Sequence, residues 1–151
     1  MQVRDILSNR SLLIRDQTFH GHAPDSDNTG EIDLMVMKNT TDPLTIIEAM
    51  NIDSVETGYI QGHLHKLLDD YNPSGLPELF LVAYVQKPKR NFPKFWESYR
   101  SYIEKTNAGD FKVVGIQDFE LEMQYIKHAI VHYECGGARF AVHHICMRAG
   151  D

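Results

Sequence analysis

No apolar stretch in the 151-residue chain approaches the roughly 20 residues needed to cross a bilayer, so a membrane-spanning helix is not expected. Cysteine is scarce: Cys135 and Cys146 are too few for a disulfide framework and lack the CxxC spacing of a zinc knuckle. They are read as reduced thiols, although facing strands of a hairpin can bring them near each other. Positive charge is also in short supply. A formal net charge of −6 argues against a broad basic surface for nonspecific nucleic-acid binding, though not against a local groove. Lys87, Lys89, Arg90 and Lys94 form the only dense cationic run, and such a run is most simply a solvated loop. A P-loop, a GxGxxG turn and a nucleophile elbow are all missing, so nucleotide-dependent chemistry has no support. Met1 to Arg10 mix charge and polarity and lack the apolar centre of a secretory signal, which points to an intracellular, cytoplasmic protein.

What is present is enough for one domain spanning residues 1–151. The hydrophobic fraction of 42% and charged fraction of 24% are ordinary for a globular chain with a real core. A first strand is expected from about Leu12 to Phe19, then a turn-rich loop from His22 to Gly30. Two strands follow, Gly30–Met37 and Leu44–Met50, joined across Asn39-Thr40-Thr41-Asp42-Pro43. Ser54 is placed to cap a helix running to Asp70, with Ile60, Leu64, Leu67 and Leu68 as its apolar stripe. Glu78–Val85 is nearly continuous in apolar residues, as in a strand covered on both faces. A second helix, Phe92–Lys105, carries Phe92, Phe95, Trp96, Tyr99 and Ile103 for core packing. Phe111–Ile116 makes a further core or edge strand. Tyr125–Glu134 and Arg139–Met147 form a hairpin about Gly136-Gly137. The order βββαβα plus a hairpin predicts an α/β (α+β) fold: a mixed central sheet flanked by helices.

The informative strands are the second and third, because each embeds an acid in apolar sequence. Side chains alternate along a strand, so Glu31 and Asp33 share one face, and Glu48 shares one with Met50. Such an acid is costly unless it is paired or holds a metal. Asp33 and Glu48, from neighbouring strands, can meet at one Mg²⁺ or Mn²⁺, with a backbone carbonyl near Ala49 completing the site and Glu31 adding a ligand or a supporting contact. Asp16 or Gln17 can approach from the first strand. Carboxylates holding such a cation neutralise a phosphodiester and activate a water.

In these motifs, Gly-Glu-Ile-Asp-Leu-Met-Val followed by Ile46-Ile47-Glu48-Ala49-Met50, the chain resembles the PD-(D/E)XK nuclease superfamily. The resemblance covers about residues 11–105, the restriction-endonuclease-like core, and leaves about 106–151 as a C-terminal extension. It implies a metal-dependent nuclease acting on DNA or RNA, DNA ahead of RNA, with Asp33 and Glu48 as cation ligands. At the level of the family it also implies a setting in prokaryotic defence against foreign DNA; association with other domains or subunits of a larger protein goes with the non-cleaving alternative below. The family's lysine falls on Met50, whose thioether can neither orient a water by charge nor stabilise an oxyanion. Some members supply that group from the following helix, where this chain offers His63 and Lys66. His63 lies about 40° from Leu67 on a helical wheel and Lys66 about 60° further out.

Plainer roles stand beside these. Glu31 fits an exposed strand start, Asp33 and Glu48 local structure, His63 a helix–sheet contact, and Lys66 a surface lysine. With Met50 in the lysine slot, the alternative is a nuclease-derived domain that binds nucleic acid or a partner protein without cleaving it. A third is an unrelated α/β domain. The eight histidines do not make a zinc site by spacing. His63 and His65 diverge by about 160° on a helix. His20 and His22 adjoin a loop with no third ligand evident. His128 and His132 lie about 13 Å apart on a strand, and His143 and His144 point to opposite faces.

Overall fold

The computed structural model describes residues 13–16 and 34–150. Among these residues, seven strands form one mixed sheet: β1 (Leu13–Asp16), β2 (Leu34–Met37), β3 (Pro43–Ile52), β4 (Glu78–Gln86), β5 (Lys112–Phe119), β6 (Ile126–Cys135) and β7 (Ala138–Ala149). Helix α1 (Thr57–His65) continues into a π turn (Lys66–Asp70), and α2 (Phe92–Lys105) follows a short 3₁₀ turn (Lys89–Asn91). The spatial order is β1-β2-β3-β4-β7-β6-β5. β1, β2 and β3 pair antiparallel; β3 pairs parallel with β4, and β4 parallel with β7; β7, β6 and β5 are again antiparallel. The expected mixed sheet with packed helices is therefore the fold.

Register decides which residues meet. Glu48 lies beside Leu81, Leu81 beside His144, and His144 beside Ala129, so these four share one face. Both described helices cover that face. Ile60, Leu64, Leu67 and Leu68 of α1 and its π turn, and Phe92, Phe95, Tyr99 and Ile103 of α2, are buried in one core with Met50, Leu79, Leu81, Ala83, Val85 and Val142. Fully burying each Leu, Ile, Val, Phe or Met of this set contributes about 1.5–3 kcal/mol. The opposite face is half-buried at Phe80, Val82 and Tyr84, so β4 is sealed on one side only, not on both as its apolar run implied.

Local chemistry explains the boundaries. Asn39 Oδ1 accepts the backbone N–H groups of Thr41 and Asp42, each at 2.9 Å, and so closes the β2–β3 turn. Ser54 does not cap α1. Its hydroxyl contacts the carboxylates of Asp53 and Glu56, and the helix starts two to three residues later. Cys135 stands opposite Ala138 and Cys146 opposite Lys127, so the hairpin keeps the two thiols far apart and both are free.

Candidate functional site

Glu48 and His63 meet where α1 crosses β3. The even positions of β3 face the helix, and Glu48 is the acid among them. His63 falls on the same helical face as Ile60, Leu64 and Leu67, and all of these are buried. Its Nδ1 lies 2.6 Å from Glu48 Oε1, with Glu48 only 1% exposed and His63 3%. An ionised carboxylate can only accept, so Nδ1 carries the proton of this bond. The Tyr59 ring, one helical turn earlier, stands edge-on to His63 with centroids 4.5 Å apart. Tyr59 also lines an open cleft of about 320 Å³, together with Asn51, Ile52, Asp53, Glu56 and Gln86, at the C-terminal ends of β3 and β4. A chain of contacts thus runs from solvent through Tyr59 and His63 to Glu48.

The other expected site residues are distributed differently. Asp33, Glu31 and Gln17 lie outside the described residues, as do His20 and His22; Asp16 ends β1. Leu34, which follows Asp33 in the chain, pairs with Ile47. Lys66 opens the π turn and is half-buried; its carbonyl accepts the N–H of Tyr71. Met50 is fully buried in the apolar core, so the position of the family's lysine is a packing position. Mg²⁺ demands near-octahedral oxygen ligation and keeps several of its waters. At Glu48 one carboxylate oxygen faces an imidazole and solvent is excluded. No group of three ligating side chains gathers at Glu48 among the described residues, so these alone do not complete a Mg²⁺ or Mn²⁺ site.

Elsewhere, His65, Asp69 and Asp70 converge with ligand atoms within 4.8 Å of one another. The π turn closes i to i+5 and so sets residues i+4 and i+5 on either side of i. All three are exposed, and the contacts are ion pairs of 3.4 and 4.0 Å. His63 and His65 do diverge, one buried and one exposed.

Two histidine arrangements went unseen in the sequence. His144, buried under α2, accepts the Tyr99 hydroxyl at Nδ1, 2.9 Å away, and burial pushes its pKa down to about 3. On the opposite face, His143 Nε2 is 2.6 Å from Glu78 Oε2, and His143 Nδ1 is 3.0 Å from His128 Nε2. Partial burial, then the neighbouring His143, lower the pKa of His128. The signal for this pairing was Gly136-Gly137. A two-residue turn fixes hairpin register, and this register sets His128 diagonally from His143.

A basic corner also forms. Lys89 Nζ lies 5.7 Å from the centre of the Tyr125 ring and the Arg148 guanidinium 5.3 Å from it; Lys89, Arg90 and Lys94 are exposed. Among the described residues no helix is long and apolar enough to cross a membrane. Comparison with protein-family models, curated proteins and solved structures finds no match.

Proposed function

We propose that this chain is a PD-(D/E)XK-type domain that binds nucleic acid with its hydrolytic centre closed. The observation that carries this is the buried Glu48–His63 pair beside a fully buried Met50. A cleavage centre has to admit a hydrated cation, a water and a phosphate, and this one is dry. The antiparallel β1-β2-β3 followed by α1 and a parallel β4 supports the nuclease-type core, being the order the resemblance implies. The pairing of Lys89 and Arg148 with the Tyr125 ring, with exposed Arg90 and Lys94 nearby in the chain, supports a polyanionic partner. It concentrates positive charge beside an aromatic ring on a chain that is otherwise acidic.

A second reading, an active Mg²⁺- or Mn²⁺-dependent nuclease of DNA or RNA, is favoured by one contact. His63 reaches Glu48 from the helix that follows, as a relocated base would. In that case Asp33 and Glu48 hold the cation, Glu31 supports them, and His63 or Lys66 assists the attacking water. The bound cation would supply phosphate neutralisation and water activation.

One set of assays separates the two. Single- and double-stranded DNA and RNA are titrated at several salt concentrations, then incubated with Mg²⁺ or Mn²⁺. The binding reading expects salt-sensitive affinity, weakened at least 10-fold in a Lys89→Glu/Arg90→Glu/Lys94→Glu variant, and intact substrate throughout. Cation-dependent cleavage lost in both Asp33→Ala and Glu48→Gln would establish the second reading. Absence of any nucleic-acid binding would overturn both and leave a protein partner.

A further inference from the structure

We infer that His143 and His128, oriented by Glu78, form a binding site for a divalent transition-metal ion on the sheet face opposite Glu48. Glu78 begins β4, His143 lies in β7 and His128 in β6; the three side chains line up across adjacent strands. The inference does not depend on the nuclease reading.

Proton bookkeeping identifies the ligand atoms. The Glu78 carboxylate accepts a hydrogen bond from His143 Nε2 at 2.6 Å, so in neutral His143 the bare nitrogen is Nδ1. Facing that lone pair at 3.0 Å is His128 Nε2, which must donate. The ring centroids are 5.2 Å apart with planes inclined by 29°, and when both rings are neutral a single proton lies between the two nitrogens. A metal ion replaces that proton: the hydrogen leaves His128 Nε2 and reappears on Nδ1 of the same ring. Both facing nitrogens then donate lone pairs to the ion, with no net proton released from the neutral rings.

The spacing fits a shared ion. Two imidazole nitrogens bound to one ion at about 2.0–2.1 Å, at ligand angles of roughly 90–110°, lie about 2.9–3.4 Å apart. The observed 3.0 Å falls within that interval. The rings are held from both ends. Phe80 stacks on His143 with centroids 4.4 Å apart, and Phe119 on His128 at 4.7 Å. Glu78 supplies the outer carboxylate that metal-binding histidines characteristically use to fix tautomer and orientation. His143 keeps 15% of its side chain exposed and Glu78 58%, so an ion can enter and water can fill the remaining positions. Imidazole donors favour Cu²⁺, Ni²⁺ and Zn²⁺, with Cu²⁺ the strongest, over Mg²⁺ or Ca²⁺.

The test titrates the full chain with Cu²⁺ and with Zn²⁺ by calorimetry, and follows the histidine ring resonances by NMR. One ion per chain should bind, perturbing His128 and His143 first. His143→Gln and His128→Gln should each weaken this binding at least 10-fold, and Glu78→Gln about 10–100-fold through loss of the outer carboxylate. His65→Gln, which disrupts the exposed His65–Asp69–Asp70 cluster, should leave it unchanged. The NMR arm needs no variant, so a misfolded mutant does not obscure the outcome. Wild-type protein that binds neither ion, or whose first perturbed histidines lie elsewhere, overturns the inference. So does unchanged affinity in His143→Gln and His128→Gln.

Discussion

Among single residues, His144 ties stability to pH. Burial holds its pKa at about 3, with the charges of His143 and His128 adding to the effect, against an ordinary value of 6.5. Burial likewise keeps the Tyr99 hydroxyl protonated, so it donates to Nδ1, and the ring's other nitrogen has no partner among the described residues. The folded-state pKa is depressed, so between pH 6.5 and 3 the unfolded chain binds the proton and the folded chain does not. Stability is therefore complete above about pH 6.5 and is lost as pH falls toward 3, by about 1.4 kcal/mol per pH unit. Urea unfolding at pH 7 and pH 5 should differ by about 2 kcal/mol on account of His144. His144→Gln should remove that difference while lowering stability at pH 7. Equal pH slopes in the wild type and the variant would show that His144 is not the group responsible. His128, shifted the same way but half-exposed, adds a smaller contribution of the same sign.

Among the elements, the β6–β7 hairpin depends on its turn. Gly136 and Gly137 have φ of +57° and +82°, the left-handed pair that a two-residue turn needs to match strand twist. A Cβ added to either would meet nothing within 4 Å, so the cost of substitution lies in the backbone and not in a clash. Gly137→Ala should destabilise by about 1–2 kcal/mol, lowering the melting temperature by roughly 2–8 °C. Gly62→Ala, in the ordinary helical backbone of α1 with similar open space, should instead stabilise by about 0.5–1 kcal/mol. Thermal melts of the two variants that moved in the same direction would contradict this account.

Across the whole molecule, stability is graded from the centre of the sheet outward. β4 lies between two parallel partners, β3 and β7, and its Leu79, Leu81, Ala83 and Val85 are fully buried. β5 is an edge strand with a register shift between Val113 and Gly115 and an exposed Val114. Native-state hydrogen exchange should therefore find the slowest amides in β4 and β7 and much faster exchange in β1 and β5. Protection of β5 equal to that of β4 would mean that the sheet opens only as one unit. The Arg100–Asp118 pair ties α2 to that edge through two hydrogen bonds of 2.6 and 2.7 Å, which lower the carboxyl pKa of Asp118. Both side chains are substantially exposed, so the pair contributes only about 0.2–1 kcal/mol.

Local pattern determined the elements. The β3, β4, β6 and β7 strands and both helices lie within a few residues of the spans that hydrophobic periodicity and the Gly136-Gly137 turn predict, because side-chain period and turn chemistry act over neighbouring residues. The same period put Glu48 and Met50 on one face and His143 and His144 on opposite faces. Tertiary structure decided what those faces meet. Glu48 and His63 are 15 residues apart, and their 2.6 Å contact depends on how α1 crosses β3. No periodicity states that crossing. Burial of Met50 likewise follows from both helices packing on one side of the sheet. The Glu78–His143–His128 alignment arises from pairing β4 with β7, strands whose partnered residues lie 63 positions apart in the chain. Such pairing is set by the packing of the whole sheet. Composition determined that this chain folds around a core; only the order of strands determined which polar groups that core brings together.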